Sequence, residues 1–560
     1  MENYPTWPNL ATMMFDLAQK WPRKPLLRAF RDNSWHSTTW AEFARMAASC
    51  ARHLRSQGIV TGDRVVICGE NRPDYPIAEV ALMAIRAVPV PTYTTNTLDD
   101  HAHILRDSGA RAAIVSSGML ADRLRAAGNK VAGLDLLLEM GSDHWNEMLA
   151  DKSSPDDIVV EAEKIPSTAM ACLIYTSGTG GMPRGVMLPH RCILSNCHGA
   201  FELVRPLRLQ DEVYLSYLPL SHSYEHTVGN FFFASLGSEI VYSRGVEHLA
   251  ADMLAIRPTI LTAVPRVLEV IRSRVMAQVA RQPRWKRRLF DWALVLGYKR
   301  LDAIRLSLLE RLADPILDRV VRAKVRERFG GRLKAAVSGG ARLEPEVGRF
   351  FLALGLLLLQ GYGQTEAGPV ISATKPEAIR IDTVGPPLLG VELKLASDGE
   401  ILVRGELVMD GYWGRPEDTA LAIQDGWLHT GDIGVVDDRG NLRITDRKKD
   451  MIVLSGGENV SPAKIEGMLM AEPEIAQAVV AGDGRAGLTA LLVPAEGHDD
   501  VSVALALTRA NHRMSVTERI RRHAVVGAFT MENGLMTPTH KIRRLLVIRA
   551  NADILARLHG

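Results

Sequence analysis

Apolar residues along this chain come in short β-rich runs, at 64–68, 112–115, 239–242, 260–264 and 334–337, separated by amphipathic stretches of helix length. That alternation predicts strands joined by helical crossovers, so a large α/β domain with mainly parallel sheets stands first. From about Leu388 the pattern shortens to runs and turns at 390–395, 400–404 and 441–444, which predicts a small β subdomain. A helical stretch at 267–329 interrupts the strand rhythm. At 169–175 an apolar run enters a glycine-rich segment, and the expectation there is strand, loop and helix. Internal repeats and low-complexity tracts are absent from the sequence.

Composition narrows the class without naming the chemistry. With 560 residues, 47% hydrophobic content and a formal charge of +3, the chain is expected to be a soluble multidomain protein without nucleic acid among its partners. Cys50, Cys68, Cys172, Cys192 and Cys197 form no CxxC pair and have no histidines at zinc spacing, so they are expected to be reduced thiols of a cytoplasmic protein. The start, Met-Glu-Asn-Tyr-Pro-Thr-Trp, has neither a basic region nor an apolar core. Neither a secreted nor a transmembrane chain is expected.

The most informative segment runs from Tyr175 to Val186, Tyr-Thr-Ser-Gly-Thr-Gly-Gly-Met-Pro-Arg-Gly-Val. Gly178, Gly180, Gly181 and Gly185 permit close backbone approach, so N–H groups can converge on polyphosphate while Thr176, Ser177 and Thr179 add hydroxyl donors. Arg184 supplies positive charge. A P-loop would end in Gly-Lys-Ser/Thr, whereas this segment ends in Pro183-Arg184-Gly185. A hydrolase elbow needs Gly two residues before its Ser, and Ser177, Ser338 and Ser455 are preceded there by Tyr175, Ala336 and Val453. A flexible tether suits the glycines but not the strand-like run before them.

Further motifs follow in order: Ser338-Gly339-Gly340-Ala341, Gly361-Tyr362-Gly363-Gln364-Thr365-Glu366, Trp427-Leu428-His429-Thr430-Gly431-Asp432, Asp446-Arg447-Lys448-Lys449-Asp450 and Thr537-Pro538-Thr539-His540-Lys541-Ile542. As an ordered set they resemble the adenylate-forming (AMP-binding) superfamily, which includes acyl-CoA synthetases, adenylation domains and luciferases. The resemblance covers nearly the whole chain. It implies an adenylation domain over 1–448 and a smaller, mobile α+β lid over 449–560, with Lys449 as hinge.

The resemblance also implies roles. Thr176, Ser177, Gly178, Thr179, Gly180 and Arg184 would hold the β- and γ-phosphates of ATP. Gly339, Gly340, Ala341, Gly361, Tyr362, Gly363, Gln364 and Thr365 would form the adenine pocket, with Tyr362 stacked on the base. Asp432 would accept from the ribose hydroxyls, and Arg447 would reach the ribose or phosphate side. Thr176 and Glu366 would place Mg²⁺, whose hard-cation chemistry suits carboxylate, hydroxyl and phosphate oxygens. Lys541 would bridge substrate carboxylate and α-phosphate during adenylation, because two anions must meet there. Gly456 and Gly457 would line the path of the coenzyme A thiol after the lid rotates. His222, in Leu-Pro-Leu-Ser-His-Ser-Tyr-Glu from Leu218 to Glu225, resembles a position near the acyl carboxylate, and a structural histidine is the other reading. Gly180 stands where Thr is commoner and Arg184 where Lys is commoner, which bears on ATP affinity rather than reaction type.

The long helical stretch at 267–329 resembles that of long-chain acyl-CoA synthetases, which implies an ATP-dependent long-chain fatty acid–CoA ligase. An acyl-AMP or acyl-carrier-protein ligase would share every ATP motif, and a non-catalytic acyl or nucleotide binder is the alternative from another class. Phe231–Phe233 and Leu356–Leu359 are either walls of an acyl tunnel or ordinary core. The basic and aromatic run at 281–292, with Trp285, Phe290 and Trp292, is either a solvated helix face or a peripheral membrane contact.

Overall fold

The computed structural model describes residues 4–131, 133–176, 182–456, 458–537 and 542–559. They form two compact units, Met1–Leu393 with Val403–Leu428, and Lys394–Leu402 with His429–Gly560. Within the first, a four-stranded parallel sheet has the order Val88–Thr92, Arg64–Cys68, Ala112–Val115, Leu136–Glu139. Its strands are apolar on both faces because helices cover both sides, the expected signature of parallel sheets. An eight-stranded sheet runs Val370–Ala373, Leu358–Gly363, Ala335–Ser338, Ile260–Ala263, Val213–Ser216, Glu239–Tyr242, Pro25–Arg31, Ser34–Thr39. Its interior pairs are parallel and its two outermost pairs antiparallel.

Three of the five runs expected as strands of the large domain coincide with strands, at Arg64–Cys68, Ala112–Val115 and Glu239–Tyr242; the run at 334–337 sits one residue later, at Ala335–Ser338. The expectation of a helix after the glycine-rich segment is corrected. Met170–Thr176 pairs antiparallel with a second strand, Arg184–Pro189, and the helix begins only at His190. Residues 184–189 carry buried Val186 and Leu188, and Gly185 lets this strand lie against Leu173 and Tyr175, whose side chains come within 3.0 and 3.1 Å of where its Cβ would be. The glycine-rich segment therefore stands between two paired strands, and the helix that follows begins only after the second of them.

In the second unit, Ile475–Ala481, Leu488–Pro494 and Ile520–Val525 form a three-stranded sheet, antiparallel then parallel. Ile465, Leu469, Val503, Leu507 and Ala510 of two helices pack on one face of it. Val547 and Leu555, with Phe529, cover the other. No helix among the described residues is long and apolar enough to cross a membrane.

Candidate active site

The first unit gathers three of the sequence motifs. Gly339 donates its N–H to Ala263 O (3.0 Å) and sits so close to Tyr224 that a Cβ would lie 2.9 Å from the ring's Cζ. Tyr224 in turn donates its hydroxyl to Val337 O (3.0 Å). Ser223 Oγ and Thr365 Oγ1 are 2.9 Å apart. Residues 222–224, 339–341 and 361–365 thus meet in one place, with Gly340 at φ +78°, a value that favours glycine. Tyr362 and Gly363 straddle a bulge in the pairing of Leu358–Gly363 with Val370–Ala373, and a Cβ on Gly363 would overlap Pro369 O. The bulge turns the strand's end away from the ladder, as bulges beside functional sites do.

His222 accepts the Tyr224 N–H at Nδ1 (3.2 Å), which assigns the neutral ring's proton to Nε2. Its N–H bonds Pro219 O and its carbonyl accepts from His226, so its backbone is held on both sides.

Glu366 follows the same bulge. Its carbonyl accepts from Met409 N–H (3.0 Å), and its Oε1 accepts the Tyr412 hydroxyl (2.9 Å). Above the Tyr412 ring stands the Arg184 guanidinium, 4.1 Å from the centroid, with Asp418 3.7 Å from Nη1. Burial and the Glu366 charge both hold the Tyr412 phenol protonated. One tyrosine therefore links the carboxylate expected at Mg²⁺ to the cation expected at phosphate. Thr176 ends the other strand of the hairpin, half-buried, and Tyr175 before it donates to Asp107 Oδ2 (2.8 Å). Asp107 also receives Arg415 Nη2 (3.2 Å) and, on its carbonyl, Trp413 Nε1 (3.1 Å). Ser177, Gly178, Thr179, Gly180 and Gly181 lie outside the described residues, as do Gly457 and Lys541.

Sequence reasoning missed Tyr412, Asp107 and Asn196. Asn196 donates to Ala367 O (3.2 Å) and Val370 O (3.0 Å) and accepts from Val370 N–H (3.0 Å), fastening the turn that carries Glu366. Each acts across a sequence gap that no local motif bridges.

Behind the site lies a buried polar anchor. The π-helix Glu225–Phe232 opens with Glu225, whose carboxylate accepts from Ser216 Oγ (2.6 Å), Tyr214 (2.8 and 2.7 Å) and Thr262 Oγ1 (3.1 Å). Gly229 makes room, since a Cβ there would overlap this carboxyl group. His226 faces the other way, its Nε2 2.7 Å from Glu79 Oε1. Burial alone would lower the imidazole, but the Glu79 carboxylate overrides it and holds His226 up to about 10. Phe231–Phe233 are buried on the same turn, Phe233 stacked on Tyr214 at 4.3 Å, and belong to the core.

Burial pushes the Glu225 carboxyl from 4.5 up to about 7, against the three hydroxyl donors that favour the anion. The folded protein therefore holds an extra proton between about pH 4.5 and 7. The group's stabilisation is complete below that window and is lost as pH rises through about 7, a swing of about 3 kcal/mol. Glu225→Gln, which cannot titrate, is expected to flatten the thermal midpoint between pH 5.5 and 8 relative to wild type, by roughly 2–4 °C. Parallel midpoint curves for the two proteins would refute this assignment.

In the second unit, Asp432 is buried and accepts Arg447 Nε (3.0 Å), its partner in the pairing of Trp427–Val436 with Leu442–Arg447. Asp446 is buried too and approaches Ser461 and the Ala463 N–H (3.4 Å) at the start of helix Pro462–Met470, so its role is to cap that helix. Lys448 pairs with Asp398 (2.6 Å) and Glu400 (2.9 Å), while Lys449 is exposed in the turn that follows. Gly456 is tight against Glu458, whose carboxylate a Cβ would overlap.

A large α/β unit with these motifs around a strand hairpin defines an adenylate-forming enzyme. The AMP-binding enzyme family matches residues 15–413, the AMP-binding enzyme C-terminal domain matches 449–558, and the chain belongs to this family. It is 32% identical to the long-chain-fatty-acid–CoA ligase FadD15 of Mycobacterium bovis, over 99% of this chain and 97% of the relative. It is 30% identical to the peroxisomal long chain acyl-CoA synthetase 6 of Arabidopsis thaliana, over 92% of this chain and 80% of the relative. Among solved structures, the O-succinylbenzoate coenzyme A synthetase of Bacillus subtilis in complex with ATP and magnesium ion superposes with a TM-score of 0.72 at 21% identity, over 95% of this chain and 98% of that one.

Proposed function

We propose that the protein is an ATP-dependent long-chain fatty acid–CoA ligase, forming an acyl-adenylate and pyrophosphate and then acyl-CoA and AMP. The observation that carries the reading is the link from Glu366 through Tyr412 to Arg184, within the first unit, in a chain related along its whole length to long-chain-fatty-acid–CoA ligases. A carboxylate is a poor acyl donor until one oxygen becomes a leaving group, and adenylation supplies that group. The protein's part is positioning and charge neutralisation rather than proton transfer.

Arg184 and the hairpin segment around Ser177–Gly180 hold the β- and γ-phosphates; the bulge at Tyr362 and the glycines at 339 and 340 seat the adenine. Asp432 takes the ribose hydroxyls, and Arg447, its ion-pair partner, reaches the ribose or phosphate side. Thr176 and Glu366 offer the hard oxygen atoms that suit Mg²⁺, and Tyr412 holds the Glu366 carboxylate in one orientation. When bound, the ion neutralises phosphate charge. Lys541 meets the carboxylate and α-phosphate in the first half-reaction. The lid, 449–560, then turns about the exposed Lys449, and Gly456 and Gly457 border the path of the coenzyme A thiol. His222, with its proton on Nε2, lies beside the acyl carboxylate.

Because the acid partitions into bilayers, residues 281–292 are proposed as a peripheral membrane contact. Trp285 and Trp292 are exposed among arginines, which supports it. Phe290 does not take part: it is buried, its ring 6.4 Å from that of Phe350, because the helix turns it inward.

The test is pyrophosphate release from Mg-ATP with palmitate, with and without coenzyme A, followed by mass analysis. Palmitoyl-CoA formed only when coenzyme A is present is the expected result. Palmitoyl-AMP accumulating with coenzyme A untouched would overturn the choice of acceptor.

A further inference from the structure

The helix Leu308–Leu317 is amphipathic the wrong way round for a soluble surface. Its inward side carries Asp314 and Leu317, both buried, and the hydrophobic contact with the preceding helix Arg284–Leu301 runs through Leu306, Leu317 and Val321 against Ala293 and Leu296. Its outward side carries Leu308 (78% exposed), Leu309 (79%), Leu312 (73%) and Ile316 (64%). These positions fall on one stripe of a helix. A contiguous set of large exposed apolar residues marks a surface that meets something.

The charges say what it meets. The helix has two acids, and neither faces outward: Glu310 is paired with Lys299, and Asp314 with Arg300 and Arg322, the latter at 2.8 Å. Arg305, Arg311 and Arg319 border the leucine stripe and are exposed. The outward face is thus apolar and cationic, with its acids neutralised on the inner side. On the neighbouring helix, exposed Trp285, Trp292 and Val295 share the surface with exposed Arg284, Lys286 and Arg288 and with a single exposed acid, Asp291, so cations outnumber acids there. A leucine stripe edged by guanidinium groups complements the interface of an anionic bilayer, where acyl chains lie just beneath phosphates.

We infer that the outward face of Leu308–Leu317 inserts into an anionic lipid bilayer, with Leu308, Leu309, Leu312 and Ile316 below the headgroups and Arg305, Arg311 and Arg319 at the lipid phosphates. This rests on the membrane contact proposed for 281–292 and shifts the apolar part of the contact to a different helix. The short helix lies in the plane of the surface rather than across it, because its polar inner side stays packed on the protein.

The experiment is cosedimentation of the full chain with phosphatidylcholine vesicles and with mixed phosphatidylcholine–phosphatidylglycerol vesicles, at low and high salt. Wild type, Leu309→Glu/Leu312→Glu and Arg287→Glu/Arg288→Glu are compared, with the thermal midpoint and activity on a short soluble acid as controls for folding. Wild type is expected to bind the mixed vesicles in a salt-sensitive way, and the leucine pair to weaken binding by at least about tenfold with both controls unchanged. If the arginine pair loses binding while the leucine pair binds as wild type, the assignment of Leu308–Leu317 fails and the 281–292 contact stands. If wild type binds no vesicle, both fail. If light scattering shows a dimer that the leucine pair converts to monomer, the face is a contact between copies and the bilayer assignment is overturned.

Discussion

Lys541→Ala is expected to lower acid-dependent pyrophosphate release from ATP by about 10²–10³-fold, while transfer of a supplied acyl-adenylate to coenzyme A is largely retained. The asymmetry follows from charge. In the first half-reaction a carboxylate must approach a phosphorus already surrounded by anionic oxygens, and the charge on the transferring group is greatest in the transition state. A cation present only there acts on kcat rather than on ground-state binding. In the second half-reaction the acyl carbon is already attached to a good leaving group, and a lysine bridging two anions has no counterpart. Single-turnover measurements of the two halves decide the matter. Equal losses in both would mean that Lys541 serves folding or general ATP binding instead, and Lys541→Arg tests whether charge alone suffices.

Glu366→Gln should cost about 10²-fold in kcat/KM for ATP, with a raised Mg²⁺ requirement, because it removes a carboxylate from the site proposed to hold that hard cation. Tyr412→Phe is the more informative companion. It leaves the ring beneath Arg184 at 4.1 Å but deletes the hydroxyl that donates to Glu366 Oε1 at 2.9 Å. A hydrogen bond to a charged group contributes about 1.5–3 kcal/mol, so a loss of roughly ten- to a hundredfold is expected. If the tyrosine acts by orienting Glu366, adding Tyr412→Phe to Glu366→Gln should cost little more, since residues in one network are not additive. Full additivity of the two changes, measured as kcat/KM across a Mg²⁺ titration, would separate Tyr412 from the carboxylate.

Periodicity alone located five of the parallel strands, because buried strands of an α/β sheet are short continuous apolar runs whose ends are set by turn residues; Val88–Thr92, Leu136–Glu139 and Val213–Ser216 were not among them. Arg64–Cys68 and Ala112–Val115 could be read at their true bounds for that reason. It failed at 184–189, where Arg-Gly-Val-Met-Leu-Pro is too short and too mixed to separate a strand from the start of a helix. Only the pairing of Tyr175 with Gly185 and of Thr176 with Arg184 makes that segment a strand. In the same way Phe290 and Trp292, alike in the sequence as aromatic neighbours of arginines, part company in the fold: one turns inward and the other stays exposed.

What the sequence by itself determined was the order of the motifs and the candidate residues for chemistry on phosphate and carboxylate: glycines and hydroxyls at 176–180, Glu366, Asp432, Arg447 and Lys541. Those are local properties, carried by a few adjacent letters each. What only the tertiary structure decided was which side chains hold them in place. Tyr412 reaches Glu366 across 46 residues, Asn196 reaches Val370 across 174, and Asp107 ties Tyr175 to Arg415 across 68 and 308. Hydrogen bonds and ring contacts act over a few ångströms of space, and a chain brings such distant positions together only once its sheets have formed.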